Sequence, residues 1–234
     1  MSGADPLDPF GHFTMGQARW LHDDLEGSLP WLEQANALNP NYTQARYSIG
    51  WAEAVLGSVD ASRRNIAAAL ALSPLNPLVH GMLGVQALWQ LTLNDKDQAA
   101  KCAERAARSS GAHPLIEMIA AVAHGLNDDE PRAKVWAASV RTRAAYLNKT
   151  DVERAFPFRD AATRARVSGM LTRLGRGFRP RCRYSSTSTD ALELLRIGVL
   201  EVASGRIPGV SVANDHFGFD TKYEERIRFA TRAS

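Results

Sequence analysis

One pattern occurs twice in this sequence at a single fixed interval, and it restricts the fold more than any other feature. The matched pairs are Gly16 and Gly50, Ala35 and Ala69, Leu38 and Leu72, and Pro40 and Pro74. The same interval leads from Gly50 to Gly84. A fixed period of about 34 residues is typical of stacked helical hairpins, because one hairpin cannot cover its own apolar face. The sequence therefore predicts an all-α solenoid.

The repeated positions suit helix packing and chain turning. Two helices approach closely only where side chains are small, and Gly16 with Ala35 supplies such a place in the first unit. Pro40 lacks an amide donor and disfavours the α conformation in the residue before it, so it is predicted to turn the chain into the next unit. The predicted packing set is Gly16, Ala35, Pro40, Gly50, Ala69, Pro74 and Gly84.

The repeat predicts about four helix-turn-helix units and a capping helix within residues 9–176, after a lead-in of residues 1–8. In the first two units the predicted helices cover about 9–22, a second ending near 38, about 43–56 and about 60–72. Gly57 is expected to end the third of these helices, and Asp60 is expected to cap the fourth.

The third and fourth units follow the pattern less closely. The third keeps Gly84 but lacks the closing leucine and proline, which predicts a longer first helix or a longer turn around residues 91–95. The fourth begins after His113 and Pro114. A last helix of about 161–174, capped by Asp160, is predicted to close the stack.

The C-terminal part does not continue the repeat. Residues 177–189 are rich in Gly, Pro, Arg, Ser and Thr and predict a linker. Residues 190–234 form a divergent tail with two predicted short helices, of which the first opens with Asp190 and Glu193 at capping-box spacing. A small appended element, a cap on the stack and a disordered extension are all compatible with this tail.

Composition is that of a globular protein, with 45% hydrophobic and 23% charged residues. No apolar run approaches the ~20 residues that span a bilayer, so we expect no membrane contact. The acidic, proline-broken start does not fit a signal peptide. With only Cys102 and Cys182, the chain predicts neither a disulfide framework nor a zinc site, which favours a cytoplasmic location.

No arrangement typical of an active site is present. The six histidines form no His-x-x-x-His pair, and no nucleotide-binding glycine loop or nucleophile motif occurs. His22 beside Asp23 and Asp24 is better explained by a solvated turn than by a metal. Cys182 lies between two arginines, which leaves a reactive thiol as an alternative. We therefore predict no catalytic, cofactor-binding or metal-binding residue.

Charge is distributed unevenly along the chain. Residues 132–183 hold 14 Lys or Arg against 3 Asp or Glu, whereas residues 1–131 hold 8 against 15. The leading interpretation of the basic region is a set of solvated helix faces. The alternative is a surface for nucleic acid or another acidic partner.

Several segments together resemble one protein family. They are Leu-Asn-Pro-Asn-Tyr (38–42), Ala-Arg-Tyr-Ser-Ile-Gly-Trp (45–51), Leu-Ser-Pro-Leu-Asn-Pro-Leu (72–78), Ala-Glu-Arg-Ala (103–106) and Ala-Phe-Pro-Phe-Arg-Asp (155–160). Over roughly residues 6–175 the chain resembles the C-terminal tetratricopeptide (TPR) region of bacterial signalling proteins. These include class III adenylate cyclases and winged-helix TPR transcriptional regulators.

The resemblance implies a TPR-type α-solenoid. The catalytic or DNA-binding activity of the family is not assigned to this chain. In that family the catalytic or DNA-binding domain precedes the repeats, and this sequence starts almost at the repeats. The expectation is a stand-alone relative or a fragment of a longer protein.

In a TPR stack the first helices of successive units line a groove, which predicts where a partner binds. The residues at the corresponding places are Phe13, Gln17, Tyr47, Trp51, Val85, Trp89, Met118 and Val122. They are mostly aromatic or aliphatic, whereas TPR proteins that grip an acidic C-terminus use Lys, Asn and Arg there. An apolar or amphipathic segment is therefore the predicted ligand, and packing between units is the alternative role for these side chains.

These observations predict a non-catalytic protein-protein interaction scaffold, acting as the regulatory or docking module of a bacterial signalling system. One alternative is a detached C-terminal module of an adenylate cyclase or transcriptional regulator, inactive alone. The second alternative is a basic accessory protein that associates with nucleic acid through residues 132–183.

Overall fold

The protein is described by a computed structural model that covers residues 6–175. Its helices are α1 (Pro9–Leu21), α2 (Leu25–Leu38), α3 (Thr43–Leu56), α4 (Val59–Leu72), α5 (Val79–Thr92), α6 (Lys96–Ala107), α7 (Pro114–Leu126), α8 (Glu130–Arg143), α9 (Lys149–Ala155) and α10 (Ala161–Gly175). No strand occurs in this range, so the all-α prediction is confirmed. The predicted linker and tail, Cys182 and the arginines after Gly175 lie outside the described residues.

The first compact unit contains the hairpin of α1 and α2, and the second begins at Asn41. Asp8 caps α1 by accepting the Phe10 N–H at 2.9 Å, and Asp24 caps α2 by accepting the Gly27 N–H at 2.9 Å. A methyl group at Gly16 would lie 2.7 Å from Leu32 Cδ2. The two helices can therefore pack at this distance only because residue 16 is glycine.

The second unit contains three further hairpins, α3–α4, α5–α6 and α7–α8. Each hairpin packs against the next through α4 on α5 and α6 on α7, and the first helices also contact each other in the order α3, α5, α7. This succession of neighbouring contacts makes the unit a solenoid-like array. After it come the short helix α9 and the helix α10, which packs on α7, α8 and α9.

Only one additional residue of the third hairpin lies where the sequence predicted it. Helices α3 and α5 both have 14 residues, so the expectation of a longer first helix is wrong. The turn after α5, residues 93–95, is one residue longer than the turn 57–58 after α3, in agreement with the alternative expectation of a longer turn. A larger insertion is in the connection between α4 and α5, residues 73–78, where the prolines at 74 and 77 extend the chain before α5 begins.

This insertion changes the register of Gly84. A methyl group at Gly50 would lie 2.8 Å from Ile66 Cγ1 in the second helix of its own hairpin. At Gly84 the nearest atom would be Ile116 Cδ1, also at 2.8 Å, in α7 of the next hairpin. Gly84 therefore permits contact between hairpins, whereas Gly16 and Gly50 permit contact within one.

Helix ends follow the sequence at most points. Gly57 ends α3 in a left-handed conformation, with φ +91°, as its position predicts. Asp60 does not cap α4, because the helix starts earlier and Ser58 occupies the N-cap position. Asp160 caps α10 as expected, accepting the backbone N–H of Thr163 at 2.6 Å.

The core of the second unit is built from aliphatic side chains separated by alanines. Ile66, Met82, Leu88 and Ile119 are its largest fully buried aliphatic side chains. Alanines at nearly every turn, from Ala45 onward, let helix backbones lie close together. None of the helices in residues 6–175 is both long and apolar enough to cross a membrane.

Candidate functional site

The side chains of the predicted groove are mostly buried. In the second unit Trp51, Trp89 and Met118 are 6%, 7% and 3% exposed, and Val122 is fully buried. Tyr47 is partly buried, and its burial raises the pKa of the phenol to about 12. In the first unit Phe13 is half-buried and Gln17 is buried. Peptide binding by these residues stays a prediction.

Trp89 is held by the preceding hairpin. Its indole N–H donates a hydrogen bond of 2.7 Å to the Ser62 hydroxyl, and the hydroxyl donates to the carbonyl oxygen of Gly50. The guanidinium of Arg63 lies 5.7 Å from the centre of the indole ring. The polar edge of Trp89 therefore points into the contact with α4.

The register change explains this orientation. Tyr47 and Trp51 lie at the fifth and ninth positions of α3, and Met118 and Val122 lie at the same positions of α7. The matching residues of α5 are the buried Leu83 and Ala87. Val85 and Trp89 come two residues later, so they face roughly the opposite side of α5.

A segment of the chain itself crosses the first helices of the second unit, and we name residues 156–166 the crossing segment. It begins with Phe156 and Phe158, which are 8% and 2% exposed although no helix contains them. The backbone N–H of Arg159 then donates a hydrogen bond of 2.8 Å to the carbonyl oxygen of Val55, near the end of α3. The chain thus returns from α9 to the first helix of this unit.

The same path continues over the ends of the next two first helices. Arg166 donates from Nη2 to the carbonyl oxygen of Leu91, near the end of α5, at 2.9 Å. One turn later Met170 lies against Gly125 of α7, where a methyl group would be 2.5 Å from the Met170 Sδ. The residues in order along the chain therefore meet α3, α5 and α7 in order.

The chemistry of these contacts matches the ends of helices. The last carbonyl groups of a helix lack partners within it and carry partial negative charge. The peptide N–H of Arg159 and the guanidinium of Arg166 supply donors to two such ends, and Arg166 also adds positive charge. The Leu91 carbonyl oxygen accepts the Asn94 N–H of the following turn as well, at 3.2 Å. This part of α3 and α5 can accordingly bind a chain that presents hydrogen-bond donors.

Local bonds fix the shape of the crossing segment. The Asp160 carboxylate accepts the hydroxyl of Thr163 at 2.6 Å as well as its N–H, and these bonds lower the pKa of Asp160. Arg164 donates to the carbonyl oxygen of Phe158 at 3.0 Å. The Phe-Pro-Phe turn and the start of α10 are therefore held as one piece.

The crossing segment lies within about one turn of the predicted groove. Trp51 precedes Val55 by four residues and so shares its face of α3, and Val122 precedes Gly125 by three. The sequence did not predict this covering role. The available signal was the two aromatic residues around Pro157, which follow no helical pattern. Aromatic side chains in a solvated loop would bury no apolar surface, so their presence indicates that this loop packs on the protein.

Two polar clusters hold α6, α7 and α8 together. His124, only 2% exposed, has its Nε2 3.4 Å from Glu104 and its Nδ1 3.5 Å from Asp129. Arg132 is 3.6 Å from Glu104 and 3.5 Å from Asp129. Burial raises the pKa of Glu104, but the hydrogen bond and charge of Arg108, with His124 and Arg132, outweigh it and lower the pKa overall.

The second cluster contains the buried Glu117, which is 3% exposed. Arg143 of α8 forms an ion pair with it, and Ser139 donates its hydroxyl at 2.9 Å. Arg143 also donates to the carbonyl oxygen of Ala112 at 3.0 Å. Both clusters join neighbouring helices, and no group of three His, Cys, Asp or Glu in residues 6–175 is arranged to hold a metal ion.

The other candidates from the sequence have ordinary surroundings. Burial raises the pKa of the Cys102 thiol, which favours the unreactive protonated form. Asp24, beside His22, caps α2 and pairs with Arg19 at 2.9 Å. In the basic region, Arg143, Arg164 and Arg166 donate to groups of the chain itself.

Comparisons with family models, with curated proteins and with solved structures gave no match to this chain. The resemblance to TPR regions of signalling proteins therefore stays a prediction from the sequence.

Proposed function

We propose that this chain is a non-catalytic scaffold that binds another protein through the first helices of its hairpins, as the docking or regulatory module of a bacterial signalling system. The observation that carries the proposal is the crossing segment. Carbonyl oxygens at the ends of α3 and α5 accept hydrogen bonds from the Arg159 N–H and the Arg166 guanidinium of this segment, which lies across both helices. A surface that binds such a segment in the same molecule has the chemistry to bind one from a partner.

The signalling context rests on the resemblance to TPR regions, and the same resemblance supports the alternative of a detached module of a cyclase or regulator. A cytoplasmic location is part of the proposal and is supported by the presence of only two cysteines. Reading the coding region upstream of this chain discriminates the alternatives, since an in-frame cyclase or winged-helix segment would favour a module.

The test uses Tyr47, the partly exposed aromatic residue of the predicted groove in α3. Proteins captured on the full chain are purified singly, and their affinities for wild type and for Tyr47→Ala are measured by calorimetry. Removing a large aromatic contact from an interface centre typically weakens binding by ~2 kcal/mol or more, so the dissociation constant should rise about 30-fold.

A second tyrosine provides the control. Tyr146 lies between α8 and α9 and is 57% exposed. Tyr146→Ala removes the same group from a different surface, and it should leave the affinity unchanged. The proposal fails if every captured protein binds Tyr47→Ala as tightly as wild type while denaturant curves show both variants folded.

A further inference from the structure

We infer that the crossing segment is an internal ligand, and that the partner which binds this surface presents the same pattern and replaces it. The pattern is two aromatic side chains around a proline, followed by a helix with a cationic side chain on the face that meets α5. This inference rests on the proposed function, because it names the kind of segment that the scaffold takes.

The crossing segment occupies the donor-accepting ends of two helices at once. Val55 and Leu91 offer their carbonyl oxygens to Arg159 and Arg166. A partner cannot use either carbonyl group in the same way while the crossing segment is in place. Binding at this surface is therefore a competition between a segment of the chain and a segment of the partner.

The crossing segment has features of a ligand more than of a repeat. Helix α9 has 7 residues, half the length of α3 or α5, and the helix that packs on it, α10, has 15. The chain then leaves helical structure for the Phe-Pro-Phe turn before α10 starts. Proline and aromatic residues lose little conformational freedom on binding, which suits a recognition segment.

Few hydrogen bonds hold the crossing segment on the first helices. Its long-range hydrogen bonds to the first helices come from Arg159 and Arg166, whereas the bonds of Asp160 and Arg164 are internal to it. The segment can thus leave together with α10, which gives up its packing on α7, α8 and α9, without breaking the hairpins α3–α4, α5–α6 and α7–α8. Local openings of this kind need less free energy than global unfolding.

The connection to α9 makes the competition strong. A tethered segment acts at an effective concentration of about millimolar. A free peptide of equal intrinsic affinity, added at a much lower concentration, is therefore largely excluded from the surface. A peptide should bind well only after the contacts of the internal segment are weakened. This gives the inference a direct test that needs no natural partner.

The probe is a fluorescein-labelled synthetic peptide with the sequence of residues 155–171, titrated into the full-length protein. The protein is wild type or the variant Arg166→Ala, which loses the guanidinium that donates to the Leu91 carbonyl oxygen and to the Thr163 hydroxyl but keeps the other bonds of the segment. A charge-assisted hydrogen bond typically supports one to two orders of magnitude in an equilibrium. We expect the peptide to bind the variant at least 10-fold more tightly than it binds wild type.

A second variant and a control peptide test the same expectation independently. Arg159→Pro removes the N–H that bonds to Val55 and should raise peptide affinity in the same direction, by about 3- to 10-fold. A peptide in which Phe156 and Phe158 are both alanine should bind every protein at least 10-fold more weakly. Circular dichroism and a cooperative melt confirm that the variants used are folded.

The outcomes separate this inference from the proposed function. Equal affinity of the labelled peptide for folded wild type and both folded variants overturns the inference, as does equal binding of the two peptides. The scaffold proposal fails separately, when Tyr47→Ala leaves the affinity of every captured protein unchanged. Tighter peptide binding by the variants supports displacement whichever natural partner is found.

Discussion

The indole nitrogen of Trp89 lies 2.7 Å from the hydroxyl oxygen of Ser62, and its N–H donates a hydrogen bond to that oxygen. Because that hydroxyl donates in turn to the Gly50 carbonyl oxygen, three successive helices, α3, α4 and α5, share one buried chain of hydrogen bonds. Ser62 is fully buried and Trp89 is 7% exposed. Such a connection fixes how the second hairpin of the chain packs on the third.

We first predict that Ser62→Ala destabilises the protein by about 1–3 kcal/mol, because the substitution removes a hydrogen bond and leaves the buried N–H of Trp89 without its acceptor. Urea denaturation followed by far-UV circular dichroism measures the free energy of unfolding. A loss below ~0.5 kcal/mol, the lower end of the net contribution of a hydrogen bond, would show that this one contributes little to stability.

A double-mutant cycle separates the hydrogen bond from the loss of packing. Trp89→Phe removes the donor and some apolar contact but keeps an aromatic ring. The Trp89→Phe variant has no indole N–H that could be left without an acceptor. Ser62→Ala should therefore lower the free energy of unfolding less in this variant than in wild type. We expect a coupling free energy of ~1 kcal/mol, and additive effects would contradict this arrangement.

The second prediction compares two glycines inside helices. At Gly50 an added methyl group would lie 2.8 Å from Ile66, whereas at Gly169 in α10 no atom lies within 4 Å. Gly50→Ala should therefore destabilise the protein by about 1–3 kcal/mol through overpacking. Gly169→Ala should stabilise it by about 0.5–1 kcal/mol, because alanine favours the helix without meeting a neighbour.

The measurement is again the free energy of unfolding, with the two variants compared under the same conditions. The opposite signs are the essential result, since both substitutions are identical in chemistry. A stabilising Gly50→Ala would mean that α3 and α4 are farther apart than the structure places them.

Most of the helices could be predicted from the sequence because local signals mark their ends. Gly57 adopts the left-handed conformation that ends α3, and Asp160 carries the capping carboxylate of α10. Both signals act within a few residues, so no tertiary information is needed. Asp60 shows the limit of such signals, since Ser58 takes the N-cap position and Asp60 lies inside the first turn of α4.

The register of α5 and the crossing segment could not be predicted in the same way. The repeat interval carries Gly50 to Gly84, but the longer connection before Val79 rotates α5 so that Gly84 faces Ile116. Likewise, nothing local links Arg166 to the carbonyl oxygen of Leu91, which is distant in the sequence. Contacts between distant segments depend on the completed stack, which a periodic pattern does not specify.

The third prediction concerns the buried carboxylate of Glu117. Arg143→Met removes its ion-pair partner and leaves the hydroxyl of Ser139 as the remaining side-chain donor. Breaking a buried pair from one side costs about 3–5 kcal/mol. Since the Arg143 side chain is 46% exposed, water can partly replace it, and we expect a loss of about 2–3 kcal/mol.

Two further variants test the electrostatic origin of this loss. Adding Glu117→Gln to Arg143→Met removes the uncompensated charge and should restore more than half of the lost stability. Arg154→Met, at an exposed position of α9, should change stability by less than ~0.5 kcal/mol. If Arg143 instead served a nucleic-acid surface, its replacement would weaken salt-dependent DNA binding and leave the unfolding free energy unchanged.

The fourth prediction is a loss of stability in mild acid that depends on His113. Burial lowers the pKa of His113, and the nearby positive charges of His80 and Arg143 lower it further, to about 4. Its Nδ1 accepts the backbone N–H of Leu115 at 3.1 Å and so caps α7. A proton on this nitrogen would abolish the hydrogen bond to the Leu115 N–H. The folded state therefore favours the neutral ring, in agreement with the lowered pKa.

The sign follows from proton binding in the two states. In the unfolded chain His113 takes up a proton near its ordinary pKa of about 6.5, whereas the folded chain does so only near pH 4. Between these values the unfolded state binds more protons, so stability falls as the pH falls, by at most ~1.4 kcal/mol per pH unit. Burial also lowers the pKa of His80, which therefore adds a contribution of the same sign.

The matched variant is His113→Asn, because an asparagine oxygen can still accept the Leu115 N–H at the N-cap but cannot take up a proton in this range. Carboxylates titrate in both proteins and cancel in the comparison. From pH 7 to pH 5 the wild type should lose about 1–2 kcal/mol more unfolding free energy than the variant. Parallel pH profiles for the two proteins would show that His113 is protonated equally easily in the folded and unfolded chain, and that the N-cap of α7 is open to water.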